Sequence, residues 1–129
     1  MRGPIHPFVI GHVSAAVIVG VAAGAVLSVP AVFVSAAGMA VGALVSCLIC
    51  WALLGLEAKA RFLWPLAVLA NPVMLMALAM IIVDWGCVTG EDGGWQCLGV
   101  GVAVVVSGLC LLPPFGGLLW RRLKRTGLL

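Results

Sequence analysis

Charged residues are scarce in this chain. Lys, Arg, Asp and Glu together make up 9% of its 129 residues, whereas apolar residues make up 64% and the mean hydropathy is +1.29. A soluble domain of this length would be about 25% charged. The composition therefore excludes a soluble globular protein and predicts an integral membrane protein. The net charge of +3 is explained by membrane topology, as described below, and we expect no nucleic-acid partner.

Acidic residues are absent from the long apolar stretches. A proton-coupled antiporter of the small four-helix type needs a carboxylate inside the membrane, so the sequence argues against this class. The motifs HExxH and GxSxG and the P-loop are also absent. Because most of the chain lies in apolar stretches, no room is left for a soluble catalytic domain. We therefore expect a non-enzymatic protein that holds neither a metal ion nor a cofactor.

Four apolar stretches are long enough to cross a bilayer as α-helices. They cover roughly residues 8–28, 31–54, 64–83 and 98–119, and about 20 residues suffice to span the hydrocarbon core. The seven bases lie only before the first stretch, between the second and third, and after the fourth: Arg2, Lys59, Arg61, Arg121, Arg122, Lys124 and Arg125. Basic residues stay on the cytoplasmic side during insertion. The pattern predicts an all-α, four-transmembrane-helix bundle built from two antiparallel hairpins.

This architecture fixes several further expectations. The chain forms one domain, residues 1–129, with both termini in the cytoplasm, and we expect it in a bacterial inner (plasma) membrane. The segment between the third and fourth spans holds three of the four acids, Asp84, Glu91 and Asp92, and no base, so it lies outside.

Small residues recur at four-residue spacing on the first two spans, which are separated only by a three-residue turn at 28–30. We call these two sets the small-residue ladders: Ala16, Gly20 and Gly24 on the first span, and Gly38, Gly42, Ser46 and Cys50 on the second. Helices in lipid associate through close van der Waals contact, which small residues permit. We therefore predict that the two ladders face each other; contact with another subunit is the alternative.

Polar residues and prolines interrupt the third and fourth spans. Asn71-Pro72 lies within the third span, where the proline removes a backbone hydrogen bond and predicts a bend. The Asn71 amide needs a partner in hydrocarbon, so it bonds locally or to another helix. The alternative is a polar site on a transport path formed by Asn71, Pro72 and Ser107. Pro113-Pro114 predicts a bent or unwound last turn in the fourth span.

Four bases follow Trp120 at the end of the fourth span: Arg121, Arg122, Lys124 and Arg125. A basic cluster immediately inside a span attracts anionic lipid headgroups and fixes the topology. We predict that these side chains contact anionic lipids of the bilayer. Docking of an acidic partner is the alternative.

Four of the five cysteines form two pairs. Cys87 and Cys97 lie in the outer loop between the third and fourth spans, which faces an oxidising space in the predicted topology, so we predict a disulfide. Cys47 and Cys50 form a C-x-x-C on one face of the second span. This layout resembles that of quinone-linked thiol oxidases of the DsbB and VKOR families. Their four-helix bundles pass electrons from outer-loop cysteines through a membrane C-x-x-C to quinone.

The resemblance departs at one point. In those families the C-x-x-C lies at the outer end of its helix, whereas Cys47 and Cys50 lie in the inner half of the second span. A reactive thiolate needs nearby positive charge or a helix N-terminus. Packing is therefore the first interpretation of this pair and thiol chemistry the alternative, while lone Cys110 is expected to pack as a small apolar residue.

His6 and His12 lie at the start of the first span, six residues apart and hence on different faces. A membrane haem takes axial histidines from facing helices. We predict that His12 is a buried hydrogen-bonding residue, and a haem or quinone ligand is the alternative.

Three classes of function remain. The first is an accessory or structural subunit, assembly factor or regulatory, immunity-type protein that acts through helix packing and the disulfide-closed outer loop; its partners are other membrane protein subunits or copies of itself. The second is an oligomeric carrier or channel for a neutral or lipid-linked solute. The third is a membrane thiol-disulfide or haem/quinone redox protein. The sequence favours the first.

Overall fold

The computed structural model describes residues 2–128, except for the side chain of Arg2. The chain is mostly helical, at 83%. The described helices are α1 (His6–Leu27), α2 (Val29–Leu54), α3 (Ala60–Leu69), α4 (Pro72–Val83), α5 (Trp85–Thr89), α6 (Leu98–Cys110) and α7 (Leu112–Arg125). Two short strands, β1 (Arg2–Pro4) and β2 (Glu57–Lys59), and a 3-10 turn at Trp95–Cys97 complete these elements.

Three helical segments in the described range are long and apolar enough to cross a membrane: α1, α2 and the combined segment Trp95–Arg125. The pair α3 and α4 gives a fourth if its two halves form one span, and these halves meet at an angle of 57°. The predicted bend at Asn71-Pro72 is therefore present, and it is sharp enough to divide the helix into two.

The hairpin of α1 and α2 turns at a single residue. Ser28 has an extended backbone, with φ −172° and ψ 164°, and it ends α1 and precedes α2. Its hydroxyl accepts a hydrogen bond from the Ala31 N–H at 3.3 Å. Pro30 lies in the first turn of α2, where its missing N–H costs nothing. The chain therefore reverses with almost no loop, and α1 and α2 pack antiparallel.

The two small-residue ladders do not face each other. A Cβ atom on Gly20 would lie 2.7 Å from the Cα of Ala36, and one on Gly24 would lie 2.5 Å from the Cα of Val32, so the first ladder meets α2. Gly38 has no atom within 4 Å of its Cβ position. Four-residue spacing predicts that the residues share a face of the helix, but it does not predict which helix that face contacts. The second ladder contacts a different partner.

That partner is the broken helix pair. The Cβ position of Gly42 lies 2.7 Å from Oδ1 of Asn71, and the Ser46 hydroxyl donates to the carbonyl of Ala67 at 2.6 Å. Cys50 is buried in a cluster that includes Leu63. The second ladder, apart from Gly38, therefore packs α2 against α3 and α4.

The fourth span continues through its two prolines. Pro113 and Pro114 lie in the first turn of α7, where an N–H has no partner inside the helix. The helix then runs to Arg125, six residues beyond the predicted end, and the segment Trp95–Arg125 counts as one membrane-length helix. The last turn of this span is therefore helical and not unwound, and the helix is interrupted only at Leu111, between α6 and α7.

A small sheet ties the chain together at one end, which we call the basic end. β1 pairs antiparallel with β2, with Arg2 opposite Lys59 and Pro4 opposite Glu57. The Ile5 N–H also donates to the carbonyl of Leu56 at 2.9 Å. The all-α expectation overlooks this sheet, because three-residue strands containing Gly and Pro carry no alternating pattern.

Candidate functional site

An apolar cleft opens between the α1–α2 hairpin and α6. α7 packs on the first half of α1 and α6 packs on α4, and the cleft lies beside the second half of α1. The cavity measures 690 Å³. It is lined by Ala22, Ala23, Val26, Leu27, Ser35, Met39, Leu98, Gly101, Val102, Val105, Val106 and Leu109. Ser35 alone among these has a polar side chain.

Small residues line this cleft and the neighbouring outer surface. Gly101 lies on the cleft wall, and neither it nor Gly108 on the same helix has an atom within 4 Å of its Cβ position. Both glycines are exposed. In lipid, a glycine on a helix surface permits close approach of another helix backbone but adds nothing to contacts with acyl chains. This surface therefore suits a helix better than it suits lipid.

The helix break places a polar group deep in the protein. Asn71 is 2% exposed and caps α4, where its Oδ1 accepts from the Val73 N–H at 3.0 Å. The first-turn N–H groups that the break exposes are thus partly satisfied by the residue that precedes Pro72. The local bond expected for Asn71 is the one observed. Ser107 lies on α6, where its hydroxyl donates to the carbonyl of Val104 in its own helix at 2.8 Å.

Arg121 lies inside the basic end and not on its surface. Its side chain is 3% exposed, and Nη2 donates to the carbonyl of Gly3 at 2.8 Å and to the carbonyl of Ala58. One guanidinium thus joins α7 to both strands of the small sheet. Sequence reasoning groups Arg121 with its basic neighbours as a lipid contact and misses this role, because the sheet itself carries no sequence signal.

The other C-terminal bases point in different directions. Lys124 lies over the ring of Trp120, with Nζ 5.8 Å from the ring centroid. Arg122 and Arg125 line a 480 Å³ pocket beside Arg121, together with Ala60, Leu118 and Thr126. The predicted cluster of four equivalent bases is therefore divided into one buried residue, two that line a pocket and one that lies on an aromatic ring.

The crossing of α1 and α7 holds His12. A Cβ on Gly11 would lie 2.6 Å from the Cβ of Trp120, and one on Gly117 would lie 2.8 Å from the Phe8 ring. His12 is fully buried, stacks on Phe8 with ring centroids 5.4 Å apart, and lies against the Pro113 backbone. Neither of its ring nitrogens has a hydrogen-bond partner of normal geometry among residues 2–128. The hydrogen bond expected for His12 is therefore present only as a poorly aligned interaction with the Pro113 backbone.

This crossing carried a weak signal in the sequence. Gly116-Gly117 lies one residue after Pro113-Pro114, but its position does not indicate which helix it meets. The other histidine, His6, is exposed at the start of α1 and is not brought near His12's buried face.

The cysteines occupy two separate places. Cys87 and Cys97 form a disulfide, as predicted, with their Cα atoms 5.4 Å apart. Cys47 and Cys50 are free thiols buried in an apolar cluster that includes Ile5 and Ala58, and so they lie at the basic end. Cys110 is buried in the other core cluster, where it packs as an apolar residue.

These pairs are not arranged as a relay. The disulfide lies in the segment between α4 and α6. Cys47 and Cys50 lie near the end of α2, in the cluster that includes Ala58 of β2.

The chain was compared with models of protein families, with curated proteins and with solved structures. None of the three comparisons finds a match.

Proposed function

We propose that this protein is a non-enzymatic accessory subunit, with a structural, assembly or regulatory role, that binds a transmembrane helix of a partner membrane protein in the cleft between the α1–α2 hairpin and α6. The observation that carries the proposal is the cleft itself, with its volume of 690 Å³, its apolar lining and Gly101 on its wall. At hydrocarbon depth such a cleft holds either acyl chains or a helix. Glycine on its wall favours the helix.

The proposal includes an orientation. The chain crosses a bacterial inner membrane four times, with α3 and α4 as one broken span, and both termini lie in the cytoplasm. The grouping of the bases near the small sheet supports this arrangement, as does the absence of bases from the sequence between Asp84 and Cys97. Reporter fusions test it: a reporter after Arg125 reports the cytoplasm, and one inserted at Glu91 reports the outer side. A cytoplasmic Glu91 contradicts it.

A matched pair of photocrosslinking positions tests the cleft. Val102 lies in the cleft and is 54% exposed, while Val41 on α2 is outside it and 58% exposed. A crosslinking residue at Val102 is expected to yield one defined heterologous adduct in native membranes, and the same residue at Val41 none. Equal adducts at both positions, or none at either, contradict the proposal.

A second pair of variants tests the same surface by steric block. Gly101→Leu places a bulky side chain on the cleft wall, whereas Gly38→Leu adds the same group on α2 outside the cleft; neither Cβ position has an atom of the chain's described part within 4 Å. Co-purification of the crosslinked partner is expected to be lost in the first and kept in the second. If Gly101→Leu retains the partner, the cleft is not the binding site for the partner helix.

One observation favours a second candidate, an oligomeric carrier or channel. The third span is broken by 57° at a buried asparagine, and discontinuous helices form binding sites in many transporters. Against it, Oδ1 of Asn71 and the hydroxyl of Ser46 already have protein partners. Crosslinks at Val102 that join two copies of this chain, with no other protein, favour the carrier.

A redox function has less support. Cys47 and Cys50 are buried among apolar side chains, Leu63 and Ala67 included. Thiolate formation needs the opposite surroundings.

A further inference from the structure

Arg121 is a buried cation that has no counter-anion among residues 2–128. Only Nη2 has partners, both of them backbone carbonyls, while Nε and Nη1 have none among residues 2–128. No carboxylate of these residues forms an ion pair with it. The sequence places three of the four acids in the distant outer loop, and the fourth, Glu57, is exposed at the edge of the sheet. Burying a charge without a partner of opposite sign is costly. The basic end therefore favours the approach of an anion.

The pocket beside Arg121 concentrates this positive charge. Three arginines line it, Arg121, Arg122 and Arg125, together with Thr126. The charges of Arg121 and Arg125 are close enough to repel each other. An anion in the pocket would relieve this repulsion, and arginine forks match the oxygen geometry of phosphate.

The start of α3 adds a second feature that favours an anion. Ala60 lines the pocket and is the first residue of this ten-residue helix. The preceding residue, Lys59, makes no side-chain hydrogen bond to the helix, so the first-turn N–H groups have no cap of this kind. Free N–H groups at a helix start attract anions, and phosphate in particular. The helix start and the arginines thus line one 480 Å³ pocket.

We propose that this pocket binds a phosphate group that carries net negative charge. The group belongs either to the headgroup of an anionic phospholipid or to a soluble phosphate. Most of the remaining wall is apolar, and Leu118 supplies a surface for the glycerol and first acyl carbons of a lipid. The site is independent of the cleft, which lies beside the opposite half of α1.

Two single-charge variants in the same helical turn test the site. Arg122→Gln removes a charge from the pocket wall. Lys124→Gln removes one from the side chain that lies over Trp120, outside the pocket. Arg121 is left intact because its loss would also remove the hydrogen bonds to β1 and β2. Binding is measured by native mass spectrometry of the full chain with added phosphatidylglycerol or phosphatidylcholine, and thermal melting is measured with inorganic phosphate.

The wild-type chain is expected to retain one phosphatidylglycerol and to prefer it over phosphatidylcholine. Arg122→Gln should bind about tenfold more weakly, as expected for one charge-assisted hydrogen bond, while Lys124→Gln stays within about twofold of wild type. Stabilisation by inorganic phosphate, lost in Arg122→Gln, without lipid retention would support the site and identify a soluble phosphate. Equal losses in both variants would overturn the proposal in favour of diffuse surface attraction. Failure of the wild type to bind either ligand, or equal binding of the two lipids, would also overturn it.

Discussion

A single added methyl group tests the close contact between α1 and α2. In Gly20→Ala the added Cβ would lie 2.7 Å from the Cα of Ala36 and 2.8 Å from the carbonyl oxygen of Ser35. Both are backbone atoms of the facing helix, so no rotamer change relieves the contact. The helices must separate locally. In Gly38→Ala, on the same helix pair, the new methyl group has no atom within 4 Å.

The difference between the two variants isolates the cost of the close approach. Alanine is favoured over glycine in a helix by about 1 kcal/mol, and this gain applies equally to both positions. Overpacking a tight interface costs about 1–3 kcal/mol. Gly38→Ala should therefore raise the free energy of unfolding by up to about 1 kcal/mol. Gly20→Ala should be less stable than Gly38→Ala by about 1–3 kcal/mol.

Unfolding by sodium dodecyl sulfate in mixed micelles, followed by circular dichroism, measures this difference. Gly24→Ala is a second test of the same contact, since its Cβ would lie 2.5 Å from the Cα of Val32. Equal stability of Gly20→Ala and Gly38→Ala would refute the reasoning, because it would mean that α1 and α2 are not in backbone contact at this point. A gain of stability in Gly24→Ala would do so as well.

Three further changes test other contacts. Cys87→Ser opens a loop with a sequence separation of 10 and should lower the free energy of unfolding by about 2.7 kcal/mol. Replacing both Cys87 and Cys97 should lower it no further, and a larger loss would contradict loop closure as the cause. Asn71→Ala removes the cap of α4 and should cost about 1 kcal/mol in the same assay, whereas Asn71→Ser should lose less; equal losses would mean that the cap is unimportant. Combined Cys47→Ala and Cys50→Ala should leave the partner adduct at the cleft intact, and its loss would restore thiol chemistry as a candidate.

The positions of the helices follow from the sequence, because a long apolar run in lipid has few ways to satisfy its backbone. A helix bonds every N–H and C=O internally, so the length of each run nearly fixes the length of each helix. The bend at Pro72 and the disulfide of the outer loop follow from similarly local chemistry. In each case the residues that determine the structure are neighbours in the chain.

The contacts between helix faces cannot be predicted from the sequence in the same way. The four-residue spacing of Gly42 and Ser46 places them on one side of α2, but that side meets Asn71 and Ala67 and not α1. With 17 glycines in the chain, several faces satisfy the same pattern, and no local rule selects among them. Arg121 differs from its basic neighbours for a related reason. Its position depends on α7 remaining helical beyond the expected end of the span.

The two candidate binding regions share one structural cause, the way in which the fourth span passes its prolines. Because Pro113 and Pro114 occupy first-turn positions, α7 begins at once after α6 and remains helical to Arg125. Gly117 then packs against Phe8, which fixes α7 on the first half of α1 and directs Arg121 to the small sheet. α6 packs on α4 instead, so the cleft opens beside the second half of α1. A single junction at Leu111 thus separates the surface proposed for a partner helix from the pocket proposed for phosphate.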